Sequence, residues 1–364
     1  MHKIGIYKIV LVGLWALVAG IIPVSAETLQ VVSYNVENLF HPKHDTIITN
    51  EGVNELTNEG VNGLTNERII EKDDWEWTPE GERRWSYTRY YRKVENIARV
   101  LTNIGEWDGV DIVGLQEVEN ALCVKRLCRT LRSGEYDFVH YESPDPRGID
   151  VALIYKKSRV DTIRTKNLTL ESSTGVHRTS DRAELFTRTR EGELITRDIL
   201  YVCAQVDKKD TLHLFVCHLP SQRGGAAETE WKRTAVKKVL QEAVDSVLAI
   251  EPQAKIVIMG DFNGKPKEDL RGVRNRMVTS PDPSSRGEKS YGTHKYHGQW
   301  SCLDQFYTSP ALDSLSTVRI YDAEWVQEPD EKYLGLRPKR TFNGFCYQKD
   351  GFSDHLPIVL MINE

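Results

Sequence analysis

After its first 26 residues the sequence has no further apolar run of the roughly 20 residues a membrane span needs, so the body of the chain is expected to be soluble, without a stable membrane anchor. It also lacks an excess of positive charge: 48 Lys+Arg stand against 53 Asp+Glu, a formal net charge of −5. A tight, nonspecific nucleic-acid binder would be basic, so contact with a polyanion is expected to be transient and confined to local patches. The paired CxxC spacing of a structural zinc site is missing too. The six cysteines, Cys123, Cys128, Cys203, Cys217, Cys302 and Cys346, stand apart. Cys203 and Cys217 lie within apolar runs and read as small buried side chains; disulfide pairing stays unassigned. Finally, no Pro/Ser/Gly-rich linker divides the chain, which favours one large α/β domain carrying an insertion.

What is present begins with a leader. His2, Lys3 and Lys8 precede the apolar run Ile9 to Val24, interrupted by Gly13, Gly20 and Pro23, and Val24-Ser25-Ala26 closes it with small residues. That is the grammar of a secretory signal peptide. Cleavage after Ala26 is expected, leaving residues 27–364 as the domain, exported to the periplasm or beyond the cell and monomeric. No cysteine near the junction offers a lipid acceptor. The leader carries two lysines and no acid, so its removal makes the protein more acidic.

Short β-branched runs recur at Leu29 to Ser33, Ile112 to Leu115, Val151 to Tyr155, Leu200 to Ala204, Leu212 to Cys217, Ile256 to Met259 and Ile358 to Ile362. Each predicts a buried strand. Helical patterns fall at Tyr90 to Ile104 and Glu228 to Leu248, so the expectation is a layered α/β fold with helices covering sheets. One segment does not fit. Thr49 to Leu56 and Thr57 to Leu64 repeat as TNEGVNEL and TNEGVNGL, too polar to bury a core, and residues 44–72 read as a mobile surface insertion.

The chemistry-bearing motifs share a layout in which an apolar strand ends and a carboxylate, amide or histidine follows at once. They are YNVENLF (34–40), DIVGLQEVEN (111–120), CHLPSQRGG (217–225), GDFN (260–263), LDQF (303–306) and SDHLP (353–357). Ligands sit at such strand ends in α/β folds. The donors are hard oxygens, amides and imidazole with no thiolate, which suits Mg²⁺, Mn²⁺ or Ca²⁺. Such a cation, held by one or two carboxylates, keeps positions open for water and a phosphate oxygen.

In this order, over nearly the whole of residues 27–364, the motifs resemble the endonuclease/exonuclease/phosphatase superfamily, the DNase I-like fold. The resemblance implies a four-layer α/β sandwich with two central, mostly antiparallel sheets flanked by helices, and divalent-metal-dependent cleavage of phosphate esters. Position by position, it implies that Glu117 is the principal metal ligand and that Asn35 beside it holds the metal shell or the phosphate. Asp354 becomes a second metal or water ligand. Asp261 and Asn263 orient the attacking water and contact the phosphate. His355, paired with Asp304, serves as general base or phosphate-binding cation, and His218 binds a phosphate oxygen or assists the leaving group. Glu37 falls where some members carry an aspartate near the metal, with one methylene more. Ser221 and Arg223, on a loop whose glycines let the backbone approach an anion, and Arg147 of the RGID turn are candidate phosphate contacts.

The same set serves nucleases, sphingomyelinases and inositol phosphatases, so substrate choice falls to the loops. Residues 83–93, RRWSYTRYYRK, interleave cations with aromatics and either grip a nucleic acid or start an amphipathic helix whose aromatics pack inward. Arg271 to His297 is a second basic loop. The leading expectation is a secreted nuclease; a lipid or inositol-phosphate phosphoesterase is the alternative. A binding protein without catalysis would have eroded the acidic set, which is intact.

Overall fold

The computed structural model describes residues 28–44, 46–51, 66–168, 196–266, 270–277 and 292–363. The leader, most of the tandem repeat and the Lys289 portion of the second basic loop lie outside these residues. Two six-stranded sheets form its centre. Their strands, in chain order, are β1 (Leu29–Leu39), β2 (Ile112–Val118), β3 (Tyr136–His140), β4 (Asp150–Lys156), β5 (Val160–Leu168), β6 (Ile199–Val206), β7 (Asp210–His218), β8 (Lys255–Asp261), β9 (Arg274–Asn275), β10 (Asp304–Thr308), β11 (Ser316–Ile320) and β12 (Ile358–Ile362). The first sheet runs β11-β12-β1-β2-β4-β3 and the second β9-β10-β8-β7-β6-β5. Each contains one parallel pair, β1 with β2 and β7 with β8, and every other neighbour is antiparallel.

Three apolar clusters fill the spaces between four layers. Helices α1 (Tyr87–Gly105) and α2 (Ala121–Leu131) cover the outside of the first sheet, with Val94, Ile97 and Leu101 meeting Val32, Tyr34 and Val113. Between the sheets, Val31 and Ile112 meet Leu214, Val216, Val257 and Met259. Outside the second sheet, helix α3 (Glu230–Ile250) packs Val236, Leu240 and Val244 on Phe215, Ile256 and Ile258. With both faces covered, the central strands read in sequence as continuous apolar runs. The second sheet packs tightly on Gly114, where a Cβ would lie 2.6 Å from Met259 Sδ.

The expected four-layer sandwich is therefore present. Local signals set its helix starts: Ser86 accepts a hydrogen bond from Arg89 N and Asn120 from Leu122 N and Cys123 N, the N-cap chemistry of polar side chains. In the 83–93 segment the helix-start reading holds for Trp85 and Tyr90, which are buried. Of its cations, Arg83 lies over Trp77, Arg89 over Tyr347, and Lys93 is buried against Thr341 and the Phe352 carbonyl. The flanks of the tandem repeat, Thr46–Glu51 and Asn66–Glu71, pair as an antiparallel ladder. None of the six cysteines forms a disulfide. Among the described residues no helix is long and apolar enough to cross a membrane.

Candidate active site

The site continues the layer between the sheets. Successive strand residues alternate faces, and the inter-sheet face passes from apolar to polar toward one end: Val31 then Ser33 and Asn35 on β1, Val216 then His218 on β7, Met259 then Asp261 on β8, and Asp304 ahead of Phe306 on β10. In register Asp261 pairs with His218 on one side and Asp304 on the other, so three functional groups form one row across three strands. Gly260 beneath them has φ 144°, and a Cβ there would lie 1.9 Å from the Cys217 carbonyl oxygen.

The first sheet delivers Glu117 differently. The β1–β2 ladder slips between Asn35 and Leu39, and the β2–β4 ladder between Gln116 and Val118. Glu37, Asn38 and Glu117 take left-handed φ values of 52°, 55° and 64°, uncommon for residues with a Cβ. Val113 and Leu115 face α1 and α2, so strict alternation would send Glu117 the same way; Val118 takes that place instead. The bulge turns Glu117 inward. Its Oε2 accepts from Asn38 N at 2.9 Å, and its Oε1 lies 3.8 Å from His218 Nε2.

Asp261 is the hub. One carboxylate oxygen, Oδ2, lies 3.1 Å from Asn35 Nδ2, 3.6 Å from His218 Nε2 and 3.9 Å from His355 Nε2; the other accepts from Asn263 N at 2.8 Å. Burial pushes its carboxyl up to about 7, with His355 opposing and Asp304 and Glu117 adding to the rise. His355 Nδ1 sits 2.7 Å from Asp304 Oδ2. Burial alone would discharge this imidazole, but Asp304, Asp261 and Asp354 outweigh it and hold its pKa well above the ordinary range. His218 goes the other way, since burial and the nearby Arg197, Arg147 and His355 keep it neutral, and its Nδ1 has no hydrogen-bond partner. The two histidines thus differ in charge at neutral pH.

Asp354 is partly exposed and held below its usual range; burial works against this, and His355, His294 and Arg340 outweigh it. Ser353 ties this loop to β1 by donating to the Asn35 carbonyl at 2.7 Å and accepting from His355 N. Asn35 Oδ1 accepts from Glu37 N at 3.0 Å, so the amide turns its nitrogen toward Asp261. Asn263 Nδ2 donates to the Leu219 carbonyl and braces the loop after His218. Glu37 faces elsewhere: its carboxylate accepts from Thr341 N and Phe342 N and lies 3.7 Å from Lys93 Nζ. Ser221 and Arg223 are exposed on the loop beyond His218, where Arg223 N donates weakly to Ser221 Oγ. Arg147 is exposed beside Asp145.

Two neighbours were not singled out in the sequence. His294 lies beside His355 with the rings tilted and their centroids 4.8 Å apart, and His294, Asp354 and His355 present potential metal-ligand atoms within 4.8 Å of one another. Arg197, buried, donates to the His218 and Leu219 carbonyls and to Asp145. His294 was visible only as one cation in a basic loop, and nothing in the sequence marks Arg197.

The donor set fits a hard divalent cation. Glu117 and Asp354 supply carboxylate oxygens with the Asn35 amide beside them, and a cation held there would favour the charged form of neighbouring Asp261, which burial and nearby acids draw toward neutrality. Two mixed sheets face to face, helices outside and polar strand ends converging between them define a DNase I-like α/β sandwich. The chain belongs to the endonuclease/exonuclease/phosphatase family, whose model matches residues 64–364. Members of that family are phosphoesterase hydrolases. The fold is similar to that of truncated TDP2 from Caenorhabditis elegans (TM-score 0.52, 15% identity, 93% of this chain and 98% of that one). It is similar as well to a Bacteroides thetaiotaomicron mannosyl-6-phosphatase (0.51, 14%, 92% and 99%). A third likeness is to an endonuclease/exonuclease/phosphatase from Bacteroides vulgatus (0.53, 11%, 93% and 100%). No curated protein sequence matches the chain.

Proposed function

We propose that this phosphoesterase is an exported, divalent-metal-dependent nuclease that hydrolyses phosphodiester bonds of nucleic acid. The observation that carries the diester reading is the charge of the site. Glu117, Asp261, Asp304 and Asp354 converge there against the charged imidazole of His355 and Arg340 beside Asp354, while Lys93 is taken up by Glu37, Arg197 is spent on carbonyls and Asp145, and Arg147 stands exposed at the edge. Such a site disfavours the dianion of a monoester more than the single charge of a diester. Export rests on the leader grammar of residues 1–26, and a monomer acting through transient contacts suits the acidic net charge.

Glu117 and Asp354, with Asn35 in the shell, would hold Mg²⁺ or Mn²⁺, which when bound neutralises charge developing on the phosphate. Asp261, near neutrality and hydrogen-bonded by Asn35 and Asn263, is placed to take a proton from an attacking water. His355, kept charged by Asp304, offers Nε2–H to a phosphate oxygen, and neutral His218 offers a second nitrogen across Asp261. Arg147, Ser221 and Arg223 lie on loops flanking this row and would contact phosphates farther along a strand.

A second reading, a sugar phosphomonoesterase, draws on the hairpin His294–Tyr296 with Gln299–Ser301, which rises from the His355 wall to a tip where Tyr296 stacks on His297 and His297 meets Tyr333. Exposed rings of this kind suit a sugar face, and one structural relative is named a mannosyl-6-phosphatase. The protein with Mg²⁺ or Mn²⁺ is assayed in parallel on plasmid DNA, RNA, sphingomyelin, inositol phosphates and a hexose 6-phosphate. Turnover of DNA or RNA is expected. Turnover of the sugar phosphate alone, with none on either polymer, would replace the nuclease reading.

A further inference from the structure

A second group of ligand-type side chains lies at the same end of the first sheet, outside the row just described. His140 ends β3, Asp150 begins β4, and Glu142 stands on the loop between them; their ligand atoms all lie within 4.8 Å of one another. The side chains of His140 and Asp150 are each only 2% exposed, and His140 Nε2 faces Asp150 Oδ2 at 3.3 Å. Neither atom makes a hydrogen bond, although both are buried. A buried polar atom without a hydrogen bond is costly, and two that face each other at 3.3 Å favour a ligand that both can hold.

The rest of the neighbourhood is already partnered. Asp150 Oδ1 accepts from Ser143 N at 2.9 Å and from the Ser143 hydroxyl. Glu142 Oε2 accepts from Lys72 Nζ at 2.7 Å, and the same ammonium reaches the Glu119 carbonyl. Lys72 runs beneath the RGID turn, where a Cβ on Gly148 would lie 2.5 Å from Lys72 Cδ. Lys72 therefore offsets one of the two carboxylates and leaves Asp150 Oδ2 and His140 Nε2 for a ligand.

We propose that His140, Glu142 and Asp150 form a second divalent-cation site, separate from the catalytic row, that clamps the strand ends behind Glu117. One imidazole with two carboxylates is the donor set of zinc and its first-row neighbours, with water completing the shell. The position gives the clamp its effect. Asp150 pairs in register with Val118, directly after the slip that turns Glu117 inward. The loop from Glu142 to Asp150 also carries Asp145, which holds Arg197 on the His218 carbonyl. A cation there ties down both Glu117 and His218 from outside.

The test uses the whole chain, stripped with EDTA and then dialysed against Co²⁺, with bound metal counted by elemental analysis. Four forms are compared: the parent, Glu117→Gln, His140→Gln and Asp150→Asn, each checked for native folding by circular dichroism. His140→Gln and Asp150→Asn should each bind one equivalent fewer than the parent, while Glu117→Gln keeps that equivalent. In Glu117→Gln, Co²⁺ at a hundredfold excess over its Kd should still raise Tm by about 5 °C. Equal stoichiometry in the parent and His140→Gln, or loss of every equivalent in Glu117→Gln, overturns the site. Should Asp150→Asn fail to fold, anomalous diffraction at the cobalt edge decides on the parent: a peak among the three side chains is expected, and its absence sinks the proposal.

Discussion

The two sheets are built alike and supply the site in opposite ways. In the second sheet the three strands that carry the site, β7, β8 and β10, stay in register to their ends, and His218, Asp261 and Asp304 stand side by side because the alternation that buries Val216, Met259 and Phe306 continues without a break. In the first sheet the ladders slip, and Glu37, Asn38 and Glu117 adopt left-handed backbone. Regular pairing suffices to line up three groups on neighbouring strands. From the opposite sheet Asn35 crosses the gap by the same alternation, but Glu117 needs a bulge that reverses the direction in which it points.

The sharpest way to break the comparison is at the row itself. His355→Ala should lower turnover by about 10² to 10⁴. Asp304→Asn should cost less, and adding it to His355→Ala little more, since groups that work as one unit lose activity non-additively. Strictly multiplicative losses would mean the pair does not act together. The pH profile carries the sign. His355 has a folded pKa above its unfolded value, so its charged form, and the stability it lends, is fully present below about 6.5 and fades as pH rises through the raised value. Asp304→Asn should move the alkaline fall in kcat/KM to lower pH; an unmoved limb would assign it to another group.

On the other sheet, the charge of Glu117 and its backbone are separable. Activity should vanish in EDTA and return with Mg²⁺ or Mn²⁺. Glu117→Gln keeps the bulge, so its Tm should stay near that of the parent while turnover falls and recovers in part as metal is raised. Normal turnover at low metal would remove Glu117 as a ligand.

Stability offers a smaller contrast. Gly260→Ala forces a Cβ onto the Cys217 carbonyl at a φ that disfavours side chains, and urea unfolding should show a loss of about 3 kcal/mol. A loss below about 0.5 kcal/mol would mean the row tolerates slippage after all. The least effect is expected from deleting Asn50 to Thr65, a polar stretch at the end of a two-stranded ladder. Loop shortening carries a modest entropic change, and a large fall in Tm would show that the segment packs.

The seven apolar runs read from the sequence are all strands, and both helical patterns are helices, because burial on both faces leaves long β-branched runs and a 3.6-residue period leaves a stripe. Less was visible at the edges. Helix α2 and strands β3, β5 and β11 carry too many polar residues to stand out, since each covers the core with one face only. In the 83–93 segment, composition alone could not separate a substrate wall from a helix start, and packing of Trp85 and Tyr90 settled those two residues as core.

For the site, the sequence by itself determined which chemistry is present and that each functional group follows directly on an apolar strand, where side chains two apart share a face. Alternation is a local property of an extended chain, and it needs no partner to be read. The inward turn of Glu117, the differing protonation of His218 and His355, and the arrival of His294 and Arg197 were decided by tertiary structure. Each depends on what lies across the gap between sheets: which strand slips against which, which carboxylate faces which ring, and how much water burial removes. Those are contacts between residues from 21 to more than 200 positions apart in the chain, and no local pattern encodes them.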